Sequence, residues 1–256
     1  MTRISGKTVL ITGASSGIGA ACARRFAAER AHLVLWARRR ERLDALAAEL
    51  GKAHSVRVRV DQVDVRDRAS VEKAAKALLA AGPAPDVLIN NAGLASGLSL
   101  VQDGDLEDWD RMIDTNVKGL LFVTRAVLPA MIARGTGHIV NIGSTAGHQV
   151  YQKGNVYNAT KFAVKALTEG INLDVAGTPI RVSSVDPGFV ETEFSLVRFH
   201  GDETRAKATY QGFRALSPDD VADTISYVVN LPAHVNILDL IVVPSAQRSV
   251  HLVDRT

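Results

Sequence analysis

Residues 7–19 read KTVLITGASSGIG, and this stretch decides the fold. Its first half is a short β-branched run of the kind that forms a buried strand. Three glycines follow, and helical composition begins within the glycine loop and continues to Arg30. Glycine allows a sharp turn and a close backbone approach, and a helix N-terminus offers free N–H groups to a phosphate. The stretch therefore predicts a strand, a phosphate-binding loop and a helix, which is the opening of a βαβ unit.

The same alternation of apolar runs and helical stretches continues along the chain. The apolar runs cover residues 7–12, 32–37, 55–60, 86–90, 138–143, 180–185 and 237–243. Strands buried on both faces read as continuous apolar runs, which is the pattern of a parallel sheet. The sequence predicts a single α/β domain over residues 1–256, a Rossmann-type doubly wound parallel sheet of about seven strands with helices on both faces.

One long stretch, residues 188–217, follows the sixth strand and carries no clear strand or helix signal. Ligands bind at the carboxyl ends of the strands in such sheets, and long loops there are usually binding loops. We therefore expect this stretch to form a substrate lid. The alternative is a surface insertion that carries a helix of its own.

The composition excludes several classes of protein. Hydrophobic residues make up 46% and charged residues 22%, which excludes a disordered or fibrous chain. The formal net charge of +3 lacks the clustered basic face of a nucleic-acid binder but suits an anionic ligand. The single cysteine, Cys22, excludes a disulfide framework, and His138, His148 and His200 lack ligand spacing, so no metal is predicted. No apolar run approaches the ~18 residues of a membrane span and no signal peptide precedes the first strand, so we expect a cytoplasmic protein with no membrane partner.

The glycine loop predicts a dinucleotide site. Its expected contacts are Gly13, Ser15, Ser16, Gly17, Ile18 and Gly19. The second strand is followed by Arg38 and Arg39 instead of the carboxylate that would hold the ribose 2′-hydroxyl of NAD. A guanidinium gives planar, charge-assisted donors to a 2′-phosphate, so NADP(H) is favoured, with Arg38 as the first contact. The alternative is that these arginines open a solvated helix.

Two further segments follow consecutive strands and fit the same ligand. Asp64 and Val65 follow the third strand, where a carboxylate can accept a hydrogen bond from an adenine amine. Asn91, Ala92 and Gly93 close the fourth strand, where small residues let the backbone pass near the nucleotide. Each segment alone could be an ordinary turn, and their shared placement after strands is what indicates a function.

A catalytic pair is predicted within residues 156–167, VYNATKFAVKAL. Tyr157 and Lys161 are four apart, so they share one face of a helix. A neighbouring ammonium lowers the pKa of a phenol from ~10, so Tyr157 could exchange a proton with an alcohol or carbonyl, while Lys161 could also hold the nicotinamide ribose. Ser144 ends the preceding strand, and its hydroxyl could stabilise the substrate oxygen. The alternative is a packed ring beside a snorkelling amine.

These motifs resemble, in order and spacing, those of the short-chain dehydrogenase/reductase family. The matching residues are TGASSGIG at 12–19, NNAG at 90–93, Asn116, Ser144, Tyr157, Lys161 and the pair Pro187-Gly188. The resemblance implies an alcohol–carbonyl oxidoreductase that is usually a homotetramer or dimer. It implies that Asn116, a poor residue for mid-helix, bends its helix and holds a water that relays protons to Lys161. It also implies contacts with the nicotinamide end of the cofactor by Pro187, Gly188, Val190 and Thr192.

The last third resembles a narrower group, the NADP-dependent 3-hydroxy acid dehydrogenases, which oxidise serine, allo-threonine and related acids. The resemblance lies in FSLVRFHGD at 194–202 and LSPDDVA at 216–222, among other segments. A short hydroxy acid carries a carboxylate, and Arg198 or Arg205 in the lid could pair with it. Solvated surface arginines are the alternative.

Residues 145–156, TAGHQVYQKGNV, depart from the glycine- and proline-rich turn of related sequences. We therefore expect Gln149, Tyr151 and Lys153 to form an individual wall of the substrate pocket, with Ser144 as a further substrate contact. Because of this departure, the resemblance does not determine the identity of the substrate. A reductase of a bulkier ketone or aldehyde is one alternative, and a non-catalytic NADP(H)-sensing protein is another.

Overall fold

The computed structural model describes residues 2–255, and within them seven parallel strands form one sheet. The strands are β1 Thr8–Thr12, β2 His32–Ala37, β3 Val58–Gln62, β4 Val87–Asn90, β5 Gly137–Ile142, β6 Ile180–Pro187 and β7 Asp239–Val242. Their order across the sheet is β3-β2-β1-β4-β5-β6-β7. The order reverses between β1 and β4, and in such sheets the ligand crevice opens there, beyond the carboxyl ends of the strands.

Helices cover both faces of the sheet. They are α1 Gly17–Ala28, α2 Arg40–His54, α3 Arg68–Ala81, α4 Leu106–Ile113, α5 Leu120–Arg134, α6 Asn155–Asp174, α7 Phe194–Arg198, α8 Glu203–Ala208 and α9 Pro218–Val229. Residues of α1, α2 and α9 pack in one hydrophobic core, and residues of α3, α5 and α6 pack in the other. The predicted fold class and doubly wound arrangement are confirmed.

Local sequence explains where several helices begin and end. The Asp67 side chain accepts a hydrogen bond from the Ala69 N–H at the start of α3. Ser217 and Asp220 form a reciprocal capping box at the start of α9. The α5 helix ends at Gly135, whose φ of 75° terminates the helix in the left-handed conformation.

The structure differs from the predicted boundaries in two informative places. The third strand was expected at residues 55–60 but lies at Val58–Gln62, because α2 continues to His54 and Ser55 turns out of it with φ of 55°. Residues 188–217 contain the short helices α7 and α8, so the stretch predicted as a lid has helical structure of its own.

A continuous helical stretch, Leu106–Arg134, is long and apolar enough to cross a membrane by length and composition, which the sequence analysis did not anticipate. Its residues Val123, Val127 and Met131 are buried in the hydrophobic core against the sheet. A helix that packs on a sheet in this way is typical of a core helix of an α/β domain.

Candidate functional site

A cavity of about 560 Å³ opens at the carboxyl ends of the strands, at the reversal of the strand order. Its lining comes from the glycine loop, the loops after β2 to β6, the lid and the C-terminal segment. The predicted cofactor contacts among the lining residues are Gly13, Ser15, Ser16, Gly17, Ile18, Arg38, Arg39, Asp64, Val65, Asn91, Ala92, Gly93, Tyr157, Lys161, Pro187, Gly188, Val190 and Thr192. Eighteen positions that are scattered along the sequence therefore line one cavity.

The glycine loop is packed too tightly for side chains at two of its glycines. Gly13 has φ of 65°, and a Cβ atom there would lie 2.9 Å from the Ala92 Cα. A Cβ atom on Gly19 would lie 2.5 Å from the Gly13 carbonyl oxygen, so Gly19 packs behind the cavity. The Asn91 Nδ2 donates to the Thr12 carbonyl at 2.9 Å and ties the two loops together.

The cavity end beyond β2 is lined by arginines. The Arg39 guanidinium donates to the hydroxyls of Ser15 at 3.2 Å and Ser16 at 2.6 Å, and it pairs with Glu193 of the lid at 3.0 Å. Arg38 also lines the cavity, but the side-chain contacts to the glycine loop belong to Arg39. These contacts make Arg39 at least as strong a candidate as Arg38 for an anionic group of the ligand.

Ser144, Tyr157 and Lys161 lie together at the other end of the cavity, and all three are buried. The Ser144 hydroxyl follows β5 and accepts from the Ala146 N–H at 3.1 Å. The Lys161 Nζ donates to the Ile142 carbonyl at 2.9 Å and lies 5.9 Å from the centroid of the Tyr157 ring. Helix α6 supplies the tyrosine and the lysine from adjacent turns, as their spacing predicts.

The acid–base properties of this group differ from the expectation. Burial raises the pKa of Tyr157 above its usual value, Tyr151 and Asp186 add to the rise, and Arg198 and the Ser144 hydroxyl oppose it. Burial also lowers the pKa of Lys161 to about 8, although Asp186 counteracts the drop. The sequence predicted a phenol pKa lowered by Lys161, but in the structure burial dominates and raises the pKa of Tyr157, and the groups that oppose the rise are Arg198 and the Ser144 hydroxyl.

Asn116 lies where α4 and α5 join, in a π-helical turn, Asp114–Gly119, so the helix is locally widened at this residue. Its Oδ1 accepts from the Leu94 N–H at 2.9 Å. Its Nδ2 donates to the Leu94 carbonyl at 2.8 Å and to the Thr160 hydroxyl at 3.0 Å. Asn116 thus fixes the loop after β4 to helix α6, one residue before Lys161.

The predicted substrate contacts separate into two groups. Arg198 and Tyr151 line the cavity, and the Arg198 guanidinium lies 5.3 Å from the ring centroids of both Tyr151 and Tyr157 and donates to the Tyr151 hydroxyl. Arg205 instead stacks on Phe199 at 4.4 Å, outside the cavity lining. Gln149 is exposed and accepts from the Val250 N–H at 3.3 Å, so it holds the C-terminal segment rather than the pocket wall.

Several lining residues were missed by the sequence analysis. Phe194 packs edge-on against Tyr157 with centroids 5.6 Å apart, and Tyr210 donates to the Val190 carbonyl at 3.0 Å. Gln247 accepts from the Phe189 N–H at 3.0 Å and, with Val250, brings the C-terminal segment to the cavity. An apolar run starting at Phe194 could have marked the first of these, but no local pattern marks the C-terminal contacts.

A second group of titratable side chains lies behind the site. His148, Asp186 and Asp239 have donor atoms within 4.8 Å of one another, a combination of ligand types that could hold a metal ion. His148 donates to Asp186 through Nε2, and the Lys165 ammonium lies 3.3 Å from its Nδ1. If the His148 Nε2 bound a metal ion, Nδ1 would have to carry a proton, but the Lys165 ammonium faces Nδ1. The lysine also already supplies the positive charge that a metal ion would bring. The group is therefore a hydrogen-bonded charge network.

Comparisons with known proteins agree with this geometry. The family model described as short chain dehydrogenase matches residues 7–201. The chain is 48% identical over 240 residues, 93% of its length, to 95% of the NADP-dependent 3-hydroxy acid dehydrogenase YdfG of Salmonella typhi. It is also 48% identical over 249 residues, 96% of its length, to 98% of sulfoacetaldehyde reductase 2 of Chromohalobacter salexigens. The closed form of serine dehydrogenase complexed with NADP+ superposes with a TM-score of 0.89 at 46% identity, covering 97% of this chain and 100% of that one.

Proposed function

The chain belongs to the short-chain dehydrogenase family, and on that premise we propose that it is an NADP(H)-dependent oxidoreductase acting on a small 3-hydroxy acid such as serine or allo-threonine. The observation that carries the proposal is the position of Arg198. Its guanidinium lies 5.3 Å from the ring of Tyr157, in the cavity that also holds Ser144 and Lys161. A proton-transfer group and a partner for a carboxylate are thus adjacent, which suits a short substrate that carries both a hydroxyl and an acid group.

The residues present fit an NADP(H) molecule. Helix α1 has no acidic residue in its first turn, and Ser16 makes no side-chain cap, so its N-terminal N–H groups and partial positive charge remain for a pyrophosphate. Arg38, Arg39, Ser15 and Ser16 would hold the 2′-phosphate. The segments after β3, β4 and β6 would hold the adenine and nicotinamide portions. The cofactor, when bound, supplies or accepts the hydride.

The protein's own residues would handle the proton and the substrate oxygen. Tyr157 would accept the hydroxyl proton during oxidation and return a proton to the carbonyl oxygen during reduction. The Ser144 hydroxyl would donate to that oxygen as negative charge develops on it. Lys161, buried and held by the Ile142 carbonyl, would hold the nicotinamide ribose, and Asn116 would keep the adjacent loop and helix in register.

The anionic group of the substrate would bind Arg198. The guanidinium is held between two aromatic rings and by the Tyr151 hydroxyl, so its charge is presented to the cavity in a fixed orientation. A sulfonate has the same charge and similar acceptors, and one relative is named a sulfoacetaldehyde reductase. A short sulfonate aldehyde is therefore the second candidate substrate.

We also propose that the protein is a cytoplasmic homo-oligomer, a tetramer or a dimer. Edge strand β7 exposes Ile241, and Val243 and Leu238 beside it are also exposed, as is Tyr227 on α9. An edge strand with apolar side chains favours association with a second copy. The one cysteine, Cys22, is buried and burial raises the pKa of its thiol, so it stays protonated and unreactive. Light scattering on the purified protein gives the oligomer size.

The test is NADP+ reduction, followed by absorbance, with short 3-hydroxy acids at mildly alkaline pH. Reactions with NAD+ and with short hydroxysulfonates run beside it. We expect turnover of at least one acid with NADP+ and little with NAD+, and a loss of about 100-fold or more in Tyr157→Phe. NADPH oxidation with bulky neutral carbonyls, without turnover of any acid or sulfonate, would refute the substrate class, and unchanged turnover in Tyr157→Phe would refute the mechanism.

A further inference from the structure

A buried carboxylate joins the lid to the body of the protein. Asp108 is on α4, and its carboxylate accepts from the Ser96 hydroxyl at 2.5 Å and lies 3.0 Å from the His200 Nε2. Arg111, the other cation on α4, is 3.9 Å away and half-buried. A buried carboxylate is unfavourable unless its oxygens are paired. The partner that reaches it from the lid is His200, so the pair connects two segments that are distant in sequence.

The backbone of His200 is unusual for a residue with a side chain. Its φ is 52°, in the left-handed region, and Gly201 after it has φ of 93°. The two residues close α7, with the Gly201 N–H donating to the Leu196 carbonyl at 2.9 Å. A glycine at position 200 would make this turn without strain. A strained backbone that delivers a side chain to one buried group indicates that the contact has a role.

The Asp108 oxygen that faces His200, Oδ2, also lies against Gly97. Gly97 has φ of 71°, and a Cβ atom there would lie 2.7 Å from the Asp108 Oδ2. The Gly97 N–H donates to the Arg198 carbonyl at 2.9 Å, and its own carbonyl lies 3.5 Å from the Arg198 Nε. Asp108 therefore packs against the Gly97 loop, which hydrogen-bonds to Arg198. Through His200 it also holds the chain two residues beyond Arg198.

We propose that Asp108 and His200 are positioning residues that hold the lid so that Arg198 stays in place beside Tyr157 for an anionic substrate. The inference rests on the proposed function, because it gives Arg198 the substrate's acid group. Ordering a flexible segment on binding costs conformational entropy, and a backbone already fixed on both sides of Arg198 avoids that cost. The pair should therefore act on substrate binding and leave the proton transfer at Tyr157 intact.

The experiment compares a 3-hydroxy acid without an amino group that the enzyme turns over with its neutral methyl ester, in the full-length protein with NADP+. In His200→Ala we expect the KM for the acid to rise about tenfold, with kcat changed less than threefold and with the kinetics for the ester unchanged. His200→Lys, whose ammonium can reach the carboxylate, should restore most of the acid KM. Arg205→Ala is the matched control. This lid arginine lies outside the cavity, so its substitution should leave the KM and kcat for both substrates unchanged.

A second readout does not depend on activity. Limited trypsin digestion in the lid, after Arg205 or Lys207, should be several times faster in His200→Ala than in the wild type. Equal losses for the acid and the ester, or unchanged digestion together with an unchanged KM, would overturn the proposal. Asp108→Asn gives the same test from the other side of the pair. Arg198→Ala distinguishes failure of this inference from failure of the proposed function. If Arg198→Ala changes the kinetics of the acid and of the ester equally, the proposed function fails, whatever the result with His200→Ala.

Discussion

Replacing Lys161 with methionine should abolish activity and at the same time stabilise the fold. The ammonium is buried, and the lining atoms give it one hydrogen bond, to the Ile142 carbonyl at 2.9 Å. Burial lowers the pKa of this group from 10.5 to about 8, because the charged form loses its water. A methionine of similar volume fills the same space without a charge.

The magnitude follows from the pKa. Each tenfold change in proton affinity corresponds to about 1.36 kcal/mol, so keeping Lys161 charged costs the folded state about 3 kcal/mol below pH 8. The variant loses one hydrogen bond, worth about 1 kcal/mol. The free energy of unfolding should therefore rise by about 2 kcal/mol at pH 7 in Lys161→Met.

The pH dependence gives the sharper test. Between pH 8 and 10.5 the unfolded chain keeps a proton on Lys161 that the folded chain has released, so wild-type stability rises with pH by about 1.36 kcal/mol per pH unit. The methionine variant lacks this rise, and its advantage should shrink to near zero at pH 9.5. Urea unfolding at pH 7 and pH 9.5 measures both values, with Lys165→Met, a more exposed lysine one turn later on α6, as the control. A variant less stable than the wild type at pH 7, or an advantage that stays constant with pH, would refute the reasoning.

Two further predictions concern the core and the cofactor. His138 is buried beside the Ser183 hydroxyl, and burial lowers its pKa to about 3, so the wild type should lose stability as pH falls below 6.5, by about 3 kcal/mol at pH 4.5. Urea unfolding should show a flatter acid dependence in His138→Gln; identical slopes would contradict this. Arg39→Ala should weaken NADP+ binding at least about tenfold and leave NAD+ binding nearly unchanged, measured by fluorescence titration, because a charge-assisted contact to the 2′-phosphate is lost. Equal effects on the two cofactors would count against that role.

The sequence was sufficient for the inner strands of the sheet because these strands are buried on both faces. Runs such as residues 32–37 contain almost only apolar residues, and β2 occupies those positions. The third strand was predicted in the wrong place because its last two residues, Asp61 and Gln62, are polar. They nevertheless pair in register with Trp36 and Ala37 at the sheet edge. Polar residues at an edge strand carry little periodic signal, so pairing decides the boundary and composition does not.

The site was predictable where residues follow strands and uncertain where they lie in the lid. Ser144 and Asn91 stand next to strand ends, and the topology alone places them at the cavity. Arg198 and Arg205 were equivalent in sequence, and only the docking of α7 on Gly97 turns the first inward while the second stacks on Phe199. Helices of five or six residues are too short to show a buried face, so this choice depends on tertiary contacts.

Substrate recognition and proton transfer are coupled in this site through Arg198. Its charge lowers the pKa of Tyr157 and partly offsets the effect of burial, which raises it. A substrate carboxylate on Arg198 would neutralise that charge, and the phenol would then hold its proton to higher pH. Oxidation needs the phenolate as base, so kcat for oxidising a hydroxy acid should rise at a higher pH than kcat for oxidising its methyl ester.

The comparison has a built-in control, because Arg198→Ala removes the charge for both substrates. In that variant the two pH profiles should have the same midpoint, displaced upward from that of the wild type with the ester. Identical midpoints in the wild type would show that the arginine does not influence the phenol when substrate is bound. The expected separation would mean that an anionic substrate itself favours the protonated tyrosine, the form that donates a proton in carbonyl reduction.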